Sequence, residues 1–337
     1  MSKATTLFRQ LKRLSFSRMN QQIKQVHSES GKASVLIFFD MVWCSIRYGV
    51  GYLNYHVFGF ADKHGAIRKT YMTEAENLSL VRRLNDRNYY KYFCDKSVFN
   101  RTFSDYIGRQ WLDLLECDAD AFAQFCADKD TLFAKPVGRC GGSGVRKIIC
   151  SEIKDFGSLY NELRENEQVL VEQAIRQHPD MDRLYSGSVN TLRIVTLLDA
   201  NRNPHIMYSL LRVGQGGSCV DNISSGGMYT AVNDDGSLKE VAFCDKTGQY
   251  YRTHPDTKID FSSFAVPYFK NAQELCKRAA SVETHIGYVG WDVAITPNGP
   301  ILVEGNIIPG YDMCQNSAFA EHGILPEFRK VTDGQKN

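Results

Sequence analysis

The chain has 337 residues, 43% of them hydrophobic and 23% charged, a make-up that suits a soluble globular protein of two or three lobes. Its net charge of +2 supplies no global field for nucleic acid. Ten scattered cysteines with no C-x-x-C pair exclude a zinc-ribbon pattern or a compact disulfide framework, and reduced thiols are expected. Residues 1–20 lack the apolar segment of a signal peptide, so a cytoplasmic setting is expected.

Residues 1–27 carry Lys3, Arg9, Lys12, Arg13, Arg18 and Lys24, with no acid before Glu29. Leu7, Leu11 and Leu14 recur at helical spacing. One reading is a basic amphipathic helix in peripheral contact with an anionic membrane. The thin apolar stripe favours the other, a terminal helix packed on the body. Residues 34–58 are the most apolar stretch, interrupted by Asp40, Arg47, Gly49 and Gly51. Each charge would cost about 3 kcal/mol at the centre of a membrane helix, so buried core is expected here rather than a span.

From Thr73 to Asp128 the pattern is helical. Thr73 with Glu76 forms a capping-box signature, Asp95-Lys96 falls inside Asn85–Asn100, and Asp118 and Asp120 precede a short helix. Thr131–Pro136 then reads as a strand and Val145–Cys150 as its return. Between them runs Gly138-Arg139-Cys140-Gly141-Gly142-Ser143-Gly144. Such a loop exposes backbone N–H groups that can nest an anion, although its spacing matches neither a Walker loop nor G-x-G-x-x-G. Lys135 stands on the strand that enters it, where an ammonium could meet the same phosphate oxygens.

A helix is expected at Asp155–Glu165 and a strand at Gln168–Ile175. In the strand Ser188–Thr196, Thr191, Arg193 and Val195 share one face, and Asn190, Leu192 and Ile194 the other. A charged Arg193 among apolar neighbours needs an anion, from a structural salt bridge or from a ligand. Pro204–Val213 is another strand. Two small-residue loops follow, Gly214–Ser218 and Asp221–Gly227, the second suited to a polar substrate or to any wide turn. Phe269–Glu283 reads as a helix, and residues 324–337 as a frayed surface tail.

The segment 290–306 reads as a hairpin around Pro297-Asn298-Gly299, with Gly299 in the left-handed conformation. A three-residue loop would pair Thr296 with Pro300 and set Asp292 opposite Glu304. Alternation then puts Asp292, Glu304 and Asn306 on one face. Two carboxylates and an amide are hard oxygen ligands suited to Mg²⁺, although a solvated polar face has the same pattern.

Taken in order, these residues resemble the ATP-grasp superfamily: Ala134-Lys135-Pro136 before the glycine hairpin, a strand ending Glu172-Gln173-Ala174-Ile175, an arginine strand, and Asp292 with Glu304-x-Asn306. More narrowly, Ser188-Val189-Asn190-Thr191-Leu192-Arg193, Asp221-Asn222 with Gly226-Gly227, and Glu304-Gly305-Asn306-x-x-Pro309-Gly310 resemble the sugar-transfer-associated ATP-grasp family over about residues 30–325. The resemblance implies an α+β fold in which two α/β lobes grip ATP between antiparallel sheets, preceded by a mainly helical region. It divides the chain at 1–95, 96–175 and 176–330.

By the same resemblance, Lys96 and Lys135 would hold ATP phosphates, and Gly141, Gly142, Ser143 and Gly144 would lie over them. Glu172, Gln173, Ala174 and Ile175 would form the hinge for adenine, through backbone groups around Gln173 and Ala174. Arg193, with Lys135, would serve catalysis by neutralising the transferring phosphoryl group. Asn190, Asp221, Asn222, Ser225 and Gly226 would face the substrate, and Asp292, Glu304 and Asn306 would bind Mg²⁺ or Mn²⁺. Many superfamily members place a ribose-binding acid soon after the hinge, and here only Asp180 or Asp182 could serve. The implied activity is ATP-dependent ligation of a carboxylate to an amine through an acylphosphate. An amino acid and a sugar or sugar acid, in surface-polysaccharide or glycan biosynthesis, would be its substrates, with no nucleic-acid partner. A phosphotransferase or a non-catalytic nucleotide- or glycan-binding protein on this fold is the alternative.

Overall fold

The computed structural model describes residues 15–137, 144–218, 221, 223 and 226–332. Two antiparallel sheets carry the fold. In the smaller, β1 (Trp111–Asp113), β2 (Thr131–Lys135), β3 (Arg146–Ile149) and β4 (Leu170–Gln173) stand in the order β1-β4-β2-β3. The larger runs β11-β10-β5-β6-β7-β8-β9, built from β5 (Thr191–Leu198), β6 (Pro204–Val213), β7 (Met228–Ala231), β8 (Ala242–Cys244), β9 (Gln249–Tyr251), β10 (Tyr288–Thr296) and β11 (Gly299–Asn306).

Near-continuous apolar runs put β5 and β10 at the centre of the large sheet. All of β5, and all of β10 except Thr296, is buried. Trp291 fixes this centre. Its indole N–H donates to Thr196 Oγ1 at 2.8 Å, and Phe93 and Phe103 pack on its ring, supplying the partner that a buried indole needs. The small lobe has its own core, in which Leu132, Ala134 and Val171 meet Phe122, Tyr160 and Leu163. Those last three lie on the helices Ala119–Cys126 and Phe156–Glu165, which Asp118 and Asp155 cap by accepting from first-turn amides. The expected capping box of Thr73 and Glu76 opens the helix Glu74–Leu84.

Three expectations need correction. The hairpin turn is tighter than a three-residue loop, because Thr296 pairs with Gly299 and Ile295 with Pro300. A bulge then absorbs Val303 between the pairs Val293–Leu302 and Asp292–Glu304. The one-residue difference at the turn is thereby undone, and Asp292 does stand opposite Glu304. The apolar stretch 34–58 is not uniformly buried core. Its helix Ser34–Tyr48 buries Ile37, Met41 and Cys44 but exposes Val35, Leu36, Phe39, Trp43 and Ile46, because the run is apolar on two opposite helical faces. Residues 325–332 are no frayed tail but the helix Leu325–Thr332, anchored by buried Phe328 edge-on to Tyr288. The strands β1, β7, β8 and β9, three or four residues long, are too short to show a period of two in sequence.

Candidate active site

A cavity of about 510 Å³ opens between the two sheets, within the range of roughly 300–1,000 Å³ common for small-molecule sites. Lys96, Lys135 and Glu172 line its small-lobe side, and Arg193, Arg212, Asp221, Asp292, Glu304 and Asn306 its large-lobe side. Lys96 opens the helix Lys96–Thr102, and its ammonium lies 3.4 Å from the carbonyls of Pro136 and Val137. It therefore sits at the root of the glycine loop.

Glu172 organises the small-lobe wall. Lys135 donates to one of its oxygens at 2.5 Å, and Arg109 and Asn100 donate to the other at 2.7 and 2.8 Å. Arg109 also donates to the carbonyls of Leu302 and Val303, which ties the small sheet to the metal-candidate strand. Burial opposes the charge of Glu172, but Arg109 and Lys135 hold its carboxyl far below the usual carboxylate range.

Asp292 organises the opposite wall. Arg193 donates to its two oxygens at 2.5 and 3.1 Å, and Arg212 lies 2.8 Å from the second. Burial would raise this carboxyl, yet the two guanidinium groups bring it down to about 2. Arg212 continues to Thr191 Oγ1 at 2.6 Å and to Asp221 at 3.6 Å, and the Thr191 amide and hydroxyl both donate to Asp221. Glu304 differs from Asp292: burial, and then the charge of Asp292, push its carboxyl upward. Its side-chain partner outside that pair is the Asn306 amide at 3.2 Å. Gly305 between them allows a close approach, since a Cβ there would lie 2.8 Å from the Phe93 ring.

Lys96, Lys135, Glu172, Arg193, Asp221, Asp292, Glu304 and Asn306 thus converge. Other expected residues do not. Glu172 contributes its side chain rather than a hinge amide. The N–H groups of Gln173 and Ala174 are consumed by the carbonyls of Gln110 and Thr131, because β4 runs between β1 and β2. These two and Ile175 lie off the cavity wall. Asn190 is also removed from the substrate group: it is fully buried, and its amide donates to Gln177 and to the carbonyls of Met181 and Tyr185. Gly144, at φ +78°, accepts from Gln168, and Gly226, at φ +102°, accepts from Gln215. Gly141, Gly142, Ser143, Asn222 and Ser225 lie outside the described residues. Asp180 pairs with Arg183, and neither it nor Asp182 lines the cavity.

Arg109, Asn100 and Arg212 were not expected. Arg212 had a readable signal, an arginine inside an apolar strand, the same feature that marks Arg193.

Asp292, Glu304 and Asn306 fit a hard divalent cation. Glu304 is a half-buried carboxyl beside a second carboxylate, pushed upward although Arg212 and Arg193 act against the shift, so a further cation would favour its charged form, and all three side chains offer oxygen. Among the described residues no group of three or more His, Cys, Asp or Glu could hold a metal, so the candidate set rests on the amide of Asn306 as its third member.

The model of the sugar-transfer associated ATP-grasp family matches residues 75–332. No curated protein matches the chain. Among solved structures, the ATP-grasp ligase PsnB complexed with a minimal precursor has a TM-score of 0.43 at 15% identity, over 78% of this chain and 70% of that one. The D-alanine-D-alanine ligase from Coxiella burnetii has a TM-score of 0.42 at 12% identity, over 71% and 57%. A biotin carboxylase from Campylobacter jejuni has a TM-score of 0.45 at 12% identity, over 72% and 46%. The chain therefore spans little more than half of the second and under half of the third. With the family model covering most of its length, the chain belongs to the sugar-transfer associated ATP-grasp family.

Proposed function

We propose that the protein is an ATP- and magnesium-dependent ligase that joins a carboxylate to an amine, acting on an amino acid and a sugar or sugar acid in glycan biosynthesis. The observation that carries this reading is the facing of cations and oxygen ligands across one cavity: Lys96 and Lys135 on one wall, Arg193, Asp292, Glu304 and Asn306 on the other. The glycan context follows from membership of the family alone.

Lys96 and Lys135 would hold phosphate oxygens. Glu172 keeps the Lys135 ammonium in place and is itself held by Arg109 and Asn100. Arg193 gives Nε and Nη2 to Asp292, so its guanidinium plane is fixed and Nη1 is the edge that would meet the transferring phosphoryl group. Asp292, Glu304 and Asn306 would hold the magnesium, which when bound neutralises phosphate charge and acts as a Lewis acid. A carboxylate oxygen of the donor attacks the γ-phosphorus of ATP, the bond to the bridging oxygen breaks, and ADP leaves. The acceptor amine then attacks the acyl carbon of the acylphosphate, losing a proton as inorganic phosphate departs. The chain's contribution is positioning and charge neutralisation.

An ADP-release screen of amino acids against uronic acids and amino sugars, with magnesium present, tests this reading. Hydroxylamine in place of the acceptor should yield a hydroxamate of the donor acid. ADP release with a stable phosphorylated product and no hydroxamate would instead make the protein a phosphotransferase.

A further inference from the structure

The helix Ser34–Tyr48 is apolar on two faces. Ile37, Met41 and Cys44 seal the N-terminal helical core, while Val35, Leu36, Phe39, Trp43 and Ile46 are each more than half exposed. At 100° per residue these five, with Val42, form one stripe opposite the buried one. No charge falls within it. Asp40 lies at the flank of the helix, held by Arg68 at 2.5 Å and by the Tyr55 hydroxyl at 2.6 Å. An outward stripe of this kind on a single helix marks a binding surface, and among the described residues no helix is long and apolar enough to cross a membrane.

We propose that this face lies on a bilayer surface bearing anionic headgroups. Charge complementarity selects that occupant. Residues 1–39 hold seven lysines and arginines against one acid, Glu29. The acids near the stripe are each engaged, Glu29 with His56, Asp40 with Arg68 and Asp62 with Lys32. Exposed cations remain at Arg18 and Lys24 on the preceding helix and at Arg47 in the last turn of this one. A short apolar face with a Trp at its edge, a cation in its last turn and further exposed cations on the preceding helix has the composition of an interfacial helix. The exposed apolar residues supply insertion and the cations supply attraction to the headgroups. The proposal does not depend on the reaction assigned to the cavity.

The full chain should sediment with vesicles of phosphatidylcholine mixed with phosphatidylglycerol, and far less with phosphatidylcholine alone. Added salt should weaken the binding. Trp43 fluorescence should shift to the blue on binding, and a Trp43→Phe variant should lose that shift. The double variant Phe39→Ser/Trp43→Ser, altered at exposed positions only, should keep its circular dichroism and bind the mixed vesicles at least about tenfold more weakly. Failure to bind the mixed vesicles, or equal binding by the double variant, would overturn the proposal. Concentration-dependent dimerisation without vesicles, abolished in the double variant, would assign the face to a second copy and overturn it likewise.

Discussion

Lys135 on β2 reaches diagonally across to Glu172 on β4, its ammonium 2.5 Å from the carboxylate. Phe133, not Lys135, stands directly opposite Glu172, and a long side chain spans this two-residue offset. The lysine assigned to phosphate is therefore oriented by an acid that Arg109 and Asn100 already hold. Lys135→Ala should weaken ATP binding by at least about tenfold, the scale of one charge-assisted contact. Its melting temperature should change little, since Glu172 keeps Arg109. Nucleotide titration beside thermal unfolding checks both; unchanged affinity in a folded variant would remove Lys135 from the site.

Glu172→Gln should behave differently. It leaves the buried Arg109 without its counter-charge, a loss of about 3–5 kcal/mol for a broken buried pair. The pH dependence has a definite sign. A carboxyl held far below its usual range when folded stabilises the protein fully above its unfolded pKa near 4.3 and loses that contribution as pH falls toward the folded value. Wild-type unfolding free energy should therefore drop more steeply below about pH 5 than that of the variant. Parallel curves from denaturant titrations across pH would contradict the role given to Glu172.

Asn190→Ala should cost about 1–3 kcal/mol of stability, because it strips partners from buried groups at Gln177, Met181 and Tyr185. ATP affinity and substrate KM should stay at the wild-type level. A raised KM in a stable variant would return Asn190 to the substrate site.

Local chemistry was the legible part of this fold. Thr73, Asp118 and Asp155 mark their helix starts in sequence, and each one caps. Asp292 and Glu304 could be placed opposite each other, but for an incomplete reason. The turn is one residue tighter than Pro297-Asn298-Gly299 suggests, and the bulge at Val303 restores the pairing. No short-range pattern announces such a bulge. Residues whose role depends on another lobe were harder to read. Arg109 precedes β1 in the chain yet bonds β4 and β11, and nothing near it in sequence points there. The helix Ser34–Tyr48 shows the limit of composition: an apolar run marks where surface must be covered, not whether the chain itself covers it.

The most direct test of the cavity as a metal–nucleotide site is the magnesium dependence of ADP release by Glu304→Gln. The substitution keeps shape and a carbonyl oxygen while removing a charge from a carboxyl that already sits beside Asp292. Turnover should fall sharply, half-saturating magnesium should rise, and the melting temperature without metal should hold or increase as the repulsion between the two carboxyls is relieved. Wild-type turnover at unchanged half-saturating magnesium, with a lowered melting temperature, would contradict the assignment and leave Glu304 as a structural residue.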